Sequence, residues 1–139
     1  MVTIRPARLE DCQTCHELGK IQELAFTNGS FLPEEFFRIR VDHDQMFFVA
    51  EEEGQVIGFV VGEPLKGGIA YMGSFTVAEA WRGKGIGKML ISALVERCKE
   101  KKMNTLFFCA PKFNEKTIGF YRSQGFVQGY DQALFMKQF

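Results

Sequence analysis

The sequence predicts an α/β domain whose mixed, mostly antiparallel sheet is flanked by helices, in the order β-α-α-β-β-β-α-β-α-β-β. Three observations predict it. A hydrophobic fraction of 46% over 139 residues is enough to build a core without disulfide or metal staples. The apolar runs Met46–Glu51, Gln55–Gly62 and Ile69–Val77 are separated only by turn residues, the pattern of a meander. An apolar-striped segment from about Lys84 to Lys101 then leads into another apolar run, Thr105–Ala110. A strand, helix and strand in that order form a parallel, right-handed crossover. No repeat, linker or low-complexity tract divides the chain, so residues 1–139 are expected to form one domain.

Each element has a local reason. Val2–Arg5 is a short strand, and Pro6 with Glu10 and Asp11 introduces a first helix at about 9–20. After the turn Asn28-Gly29-Ser30, Pro33-Glu34-Glu35 opens a second helix to about Val41, with proline in its favoured first-turn position. Glu53-Gly54 and Lys66-Gly67-Gly68 supply the two turns of the meander. In the long helix Ile86, Met89, Leu90, Ala93 and Leu94 form one stripe, widened by Ile91, Val95 and Cys98, as for a helix packed closely over a sheet. Glu115–Ser123 is a short helix, and Phe126–Tyr130 and Ala133–Lys137 are the expected closing strands.

Composition excludes several functions. Lys+Arg and Asp+Glu number 17 each, without the basic footprint of a nucleic-acid binder. No apolar run reaches the roughly 20 residues that span a bilayer, and no signal-peptide core follows Met1-Val2-Thr3-Ile4-Arg5-Pro6. A soluble, cytoplasmic protein is expected, without nucleic-acid or membrane partners, as a monomer or homodimer. Of the four cysteines, Cys12 and Cys15 stand in a C-x-x-C-H run that imitates covalent haem attachment. They also recur with Leu18, Ile21, Leu24 and Ala25 at helical spacing, which reads as a core-facing stripe. A zinc site needs a second ligand pair, whereas Cys98 and Cys109 are single and far apart. No metal is expected.

Chemistry concentrates between the third meander strand and the long helix. Arg82-Gly83-Lys84-Gly85-Ile86-Gly87-Lys88 alternates glycines, whose N–H groups can converge on an anion without a Cβ in the way. The helix N-terminus adds an effective charge of about +0.5, and Arg82, Lys84 and Lys88 add side-chain charge. The loop reads as an anion cradle suited to phosphates, the alternative being a plain helix start. It is not Walker A, G-x-x-x-x-G-K-S/T, because Arg82 stands five positions before Gly87 and Met89 follows Lys88. Nor is it the Rossmann G-x-G-x-x-G, because Lys88 occupies the last position.

Phe75-Thr76-Val77 at a strand end, followed by Trp81 and Arg82 through Gly87, resembles motif A of the GNAT superfamily of acyl-CoA-dependent N-acetyltransferases. Its core, Q/R-x-x-G-x-G/A, is met by Arg82, Gly85 and Gly87. Downstream, Asn114 followed seven residues later by Tyr121, and then Gly125-Phe126, resembles the family's N-x(6)-Y block ending in G-F. The element order matches the family over essentially the whole chain, the first 45 residues in outline.

The resemblance implies an enzyme that moves an acetyl group from acetyl-CoA to a primary amine, on a protein or peptide N-terminus or a small molecule. It implies direct attack in a ternary complex rather than a cysteine-linked intermediate, since Cys109 is expected mid-strand. The alternative is a non-catalytic coenzyme-A-binding sensor or interaction module. Backbone amides of Arg82, Gly83, Lys84, Gly85, Ile86, Gly87 and Lys88 would bind the pyrophosphate. Phe75, Thr76 and Val77, on a strand that is bulged and splayed in the family, would pair with the pantetheine arm. Asn114 would bond that arm, although it also reads as a helix N-cap. Tyr121 would protonate the leaving thiolate, although it also reads as a packed aromatic.

Some family members place a glutamate base on the Ile69–Val77 strand, but this strand has no acid. Glu63 is the nearest carboxylate in sequence and the candidate base; Glu51, Glu52 and Glu53 read as a solvated hairpin. At pH 7 an α-amine is roughly 15–20% neutral and a lysine about 0.04%, so a missing base penalises lysines more. The acceptor face is expected in the two-helix segment, with Phe31 there and Tyr71 on the strand as substrate contacts. Phe26, Phe36, Phe37, Arg38, Arg40, Asp42, His43 and Asp44 cluster in the same segment.

Overall fold

Alternation along the central strands decides the layering. The structure is a computed structural model that describes residues 1–139, the side chain of Gln22 excepted. Its five-stranded sheet has the order β1 (Thr3–Pro6), β2 (Phe47–Glu52), β3 (Gln55–Leu65), β4 (Ile69–Val77), β5 (Thr105–Phe107). Neighbours are antiparallel except β4 and β5, which run parallel. Phe48, Ala50, Val60, Ala70 and Met72 face α3 (Ile86–Glu100), against Ile86, Leu90, Ile91 and Leu94. Phe47, Val49, Phe59 and Val61 face α1 (Cys12–Leu18) and α2 (Glu34–Arg38), against Cys12, Cys15 and Phe37. Period-2 strands thus supply both faces with apolar groups, and helices cover both.

Cys12 and Cys15 are fully buried in the second of these layers, and burial pushes both thiols up, as it does Cys98. They are core residues, as their spacing predicts. Among the described residues no group of His, Cys, Asp or Glu is placed to hold a metal, and no helix is long and apolar enough to cross a membrane.

The expected first helix is in fact a 3-10 turn, Leu9–Asp11, leading into α1. The reason is Asp11. Its buried carboxylate takes two hydrogen bonds from the Arg5 guanidinium (2.8 and 3.0 Å) and one from the Arg8 N–H (2.7 Å). Arg5 also donates to Glu51 at 2.5 Å, and the Met1 amino group pairs with Glu52 at 2.7 Å. Two of the three hairpin glutamates are therefore ion-paired rather than merely solvated.

Two expectations at the C-terminal end fail. The run Thr105–Ala110 pairs only as far as Phe107, and Cys109 is exposed beyond the strand rather than held within it. Phe108 packs against the aromatic rings of Tyr121 and Phe126, at 4.4 and 5.0 Å, and Pro111 follows. The closing strands Phe126–Tyr130 and Ala133–Lys137 do not form, because a three-residue edge gives them too short a template. The segment is tied by side chains instead: Arg122 to Gln128, Lys112 to Asp131, and Asn28 to Gln138. Beyond Phe126 its apolar residues are exposed, Val127 at 94% and Phe135 at 91%.

Burial alone would push the Asp11 carboxyl up, but Arg5 and the Arg8 N–H outweigh it and hold its pKa below the usual range. A lowered folded-state pKa contributes stability that is complete above the unfolded pKa of about 3.9 and is lost as pH falls below it. Asp11→Asn should therefore cost about 3 kcal/mol at neutral pH, the low end for a broken buried pair because Arg5 keeps Glu51. Urea titrations of both proteins from pH 7 to pH 2 should show the difference shrinking below about pH 4.

Candidate active site

The site begins where β4 departs from regular pairing. Val61 opposes Ser74 and Gly62 opposes Met72, so Gly73 is an extra residue, a β-bulge. It reverses the alternation: Ala70 and Met72 face α3, whereas Ser74 faces the α1–α2 layer. A glycine inside a strand is a recognised sign of a bulge, and Gly73 could have been read that way. The Phe36 ring covers it closely enough that a Cβ there would stand 3.2 Å from Phe36 Cζ.

Immediately before the bulge the parallel pairing with β5 ends, at Tyr71 opposite Phe107. From Met72 to Val77 the β5-facing edge of β4 has no strand partner, and a gap opens. On the α3 side of this gap stand Phe75, stacked on Phe120 (6.0 Å, 11°), and Tyr121, 6.2 Å from Phe75. Tyr121 lies among Phe75, Phe108, Phe120 and Phe126, and burial pushes its phenol up to about 12.

Tyr121 is placed by α4 (Glu115–Ser123), whose two ends explain the downstream motif. Asn114 is the N-cap: its Oδ1 accepts from the Thr117 N–H at 3.2 Å. Beyond the C-cap Gln124, Gly125 has φ 89°. Its N–H donates to the Arg122 carbonyl and the Phe126 N–H to the Tyr121 carbonyl, the Schellman pattern for which glycine is favoured. That turn brings Phe126 back against Tyr121. The G-F pair is thus a helix stop that closes one wall of the tyrosine's pocket.

At the far end of the gap, the loop Arg82–Gly85 leads into α3. Gly83 and Gly85 are left-handed (φ 78° and 82°), and a Cβ at either would meet nothing within 4 Å. Gly85 is the N-cap and offers no side chain to the first turn, so the leading N–H groups of α3 stay uncapped. Ile86 is buried and anchors the helix start, while Lys84 and Lys88 are exposed, Lys84 with its Nζ 5.9 Å from the Trp81 ring. Arg82 donates from Nε to the Val77 carbonyl at 2.8 Å, fastening the loop to the strand end. Open backbone, uncapped amides and excess positive charge fit a pyrophosphate.

Gly87 differs from the other two. Its φ is ordinary, and a Cβ would stand 3.2 Å from Phe75 Cζ and 3.3 Å from Phe120 Cζ. It permits close approach between α3 and the aromatic stack.

The opposite side of β4 carries the remaining candidates. Glu63 lies across from Tyr71 in the β3–β4 register and is paired to Arg40 at 3.1 Å. The Arg40 guanidinium lies 3.9 Å above the Phe36 ring and donates to the Phe36 carbonyl at 2.9 Å. Tyr71 packs on Phe107 at 5.2 Å; burial pushes its phenol up, with Cys109 and Glu63 adding to it. Arg40 is thus the partner of Glu63, a pairing of residues 23 apart that no local signal carries. Phe31 is half-buried before α2. His43 forms a surface pair with Asp44 at 3.1 Å.

The β4–β5 pairing ends beside a bulge, and an uncapped helix N-terminus stands beyond the unpaired edge. The chain matches the model of the acetyltransferase (GNAT) family over residues 14–126, and it belongs to that family. It is 29% identical over 125 residues to an uncharacterized N-acetyltransferase of Chlorobaculum tepidum, covering 90% of this chain and 75% of that one. Its structure matches that of Ard1 from Thermoplasma volcanium with a TM-score of 0.81 at 25% identity, over 93% of this chain and 84% of the other. It also matches yncA from Salmonella typhimurium, solved with its cofactor acetyl-CoA, with a TM-score of 0.77 at 23% identity, over 91% and 80% of the two chains.

The glycines on either side of the stack can be told apart by stability. Gly119→Ala, in α4 with nothing within 4 Å of the new Cβ, should gain up to about 1 kcal/mol from helix propensity. Gly87→Ala should fall short of that gain, because the Phe75 and Phe120 rings must yield. Denaturant melts of the two variants check it.

Proposed function

We propose that this protein, as a single catalytic domain over residues 1–139, transfers an acetyl group from acetyl-CoA to a primary amine by direct attack. The observation that carries the reading is the gap itself: it starts at the Gly73 bulge, passes Tyr121 and ends at the uncapped start of α3. Acetyl-CoA supplies an activated thioester. The amides from Arg82 to Lys88 hold its pyrophosphate, and the unpaired backbone edge of Phe75, Thr76 and Val77 takes the pantetheine arm as a further strand would be taken. Asn114 caps α4 with its oxygen and keeps its side-chain nitrogen free to donate to the same arm. An amide freed by the bulge faces the thioester oxygen as charge develops there.

Tyr121 then gives its proton to the departing sulfur. Its raised pKa keeps it protonated, and the apolar wall that disfavours a tyrosinate disfavours a bare thiolate equally. The amine enters from the α1–α2 side, along Phe31, Tyr71 and Phe107. Glu63, oriented there by Arg40, keeps one carboxylate oxygen uncommitted to take a proton from the incoming ammonium, so that the neutral amine attacks the thioester carbon. With Cys109 exposed beyond β5, direct transfer rests on the two faces of β4 opening onto one gap. A protein or peptide N-terminus or a small-molecule amine fits this face.

Binding and chemistry are separable. Gly85→Asp should fold, losing about 1 kcal/mol for a side chain at positive φ, yet lose acetyl-CoA binding by calorimetry because a carboxylate enters the phosphate cradle. Tyr121→Phe should bind acetyl-CoA within about twofold of the parent. Its turnover on an amine panel should fall at least 10²-fold, the lower end of what general acids contribute, with kcat and kcat/KM falling together. Normal turnover in Tyr121→Phe would assign the proton to another donor. A parent protein that binds acetyl-CoA and acetylates no amine would favour the binding-module alternative.

A further inference from the structure

Ser74 is the first residue beyond the bulge, and its Oγ is buried without a hydrogen-bond partner among the described residues. An unpaired buried hydroxyl is costly, by about 1–3 kcal/mol, so its surroundings need an account. It lines a cavity of about 10 Å³ whose other walls are His16 and Gly19 at the end of α1, together with Leu24, Leu32 and Phe37. That is room for one water, which requires two or more polar partners. Ser74 and His16 are the two polar residues of the wall. The Cys15 and Glu17 carbonyls at the end of α1 are already taken by the N–H groups of Gly19 and Lys20, so they do not serve this space. His16 has no strong competing tie: its nearest charged neighbour is Glu17, at 4.0 Å.

The bulge needs such a tie. Gly73 has lost its ladder partner, and one neighbour that fixes it is the Phe36 ring held under Arg40. On the α1 side, Ser74 reaches toward the helix across the cavity. A donor that is to meet a developing charge has to be held within about 0.5 Å, and a misplacement of about 1 Å can cost 10²-fold.

We propose that Ser74 Oγ and His16 bind one buried water between them, and that this water ties α1 to the β4 bulge and sets the amide that polarises the acyl carbonyl. Ser74 and His16 are then positioning residues, remote from the reacting atoms. The role rests on the acetyl-transfer reading above, whereas the water site itself does not.

Three variants of the full chain test it: Ser74→Ala, His16→Leu and His16→Gln. Stability is read by urea unfolding, affinity by calorimetry with acetyl-CoA, and carbonyl polarisation by the infrared band of bound acetyl-CoA labelled with ¹³C at the thioester carbon. With the water in place, Ser74→Ala and His16→Leu lower the urea midpoint, leave acetyl-CoA affinity within about twofold, and return the carbonyl band toward its solution frequency. His16→Gln, which keeps a polar hand for the water, restores both readouts. If the hydroxyl is simply an orphan, Ser74→Ala is as stable as the parent or more so, and the water site is overturned. A carbonyl band that does not move in Ser74→Ala overturns the positioning role, whatever the midpoint does. A parent protein that binds no acetyl-CoA instead defeats the functional reading, and the urea midpoints still decide the water site.

Discussion

The rest of the molecule depends on β4 and β5 staying paired for only three residues. A longer ladder would close the edge that β4 leaves unpaired from Met72 to Val77. A shorter one would leave β4 an open edge along its whole length. Just past the last pair, Phe108 packs on Tyr121 and Phe126, on the side of the sheet that Leu106 also faces. The same contacts fix α4 against the sheet and bring its tyrosine beside the unpaired edge of β4.

Much of this was legible because it is local. The meander strands show period-2 alternation and turn residues at their ends, and α3 shows its stripe. The glycine loop lies where strand gives way to helix, and its left-handed positions at Gly83 and Gly85 are those only glycine occupies easily. Asn114, Tyr121, Gly125 and Phe126 mark the cap, the face and the stop of one short helix. In each case a few consecutive residues contain the whole physical reason.

What was not legible is decided between distant segments. Where Thr105–Ala110 stops pairing, at Phe107, is decided between two strands and not by the run itself. Apolar composition alone made Cys109 look like strand interior and Phe126–Tyr130 and Ala133–Lys137 look like closing strands. Composition describes what a segment would do with a partner edge, not whether that edge is long enough. The Arg40–Glu63 pair is similar: charge and side-chain length are visible in sequence, but partnership is set by how α2 is laid over the bulge.

Arg82 shows how the two kinds of information meet. As a sequence feature it is simply the first position of a phosphate-binding pattern, and its charge suggests direct contact with an anion. In the fold its Nε is committed to the Val77 carbonyl, which joins the end of β4 to the loop that follows. A guanidinium is a planar fork with several donors, so one can hold the strand while others remain for a phosphate. A lysine has a single ammonium head and no rigid plane. It would have to choose between the carbonyl and the anion, or hold both with poorer geometry. The position therefore calls for a side chain that couples the strand, where an acyl group would be polarised, to the cradle, where the other end of the same ligand would be held.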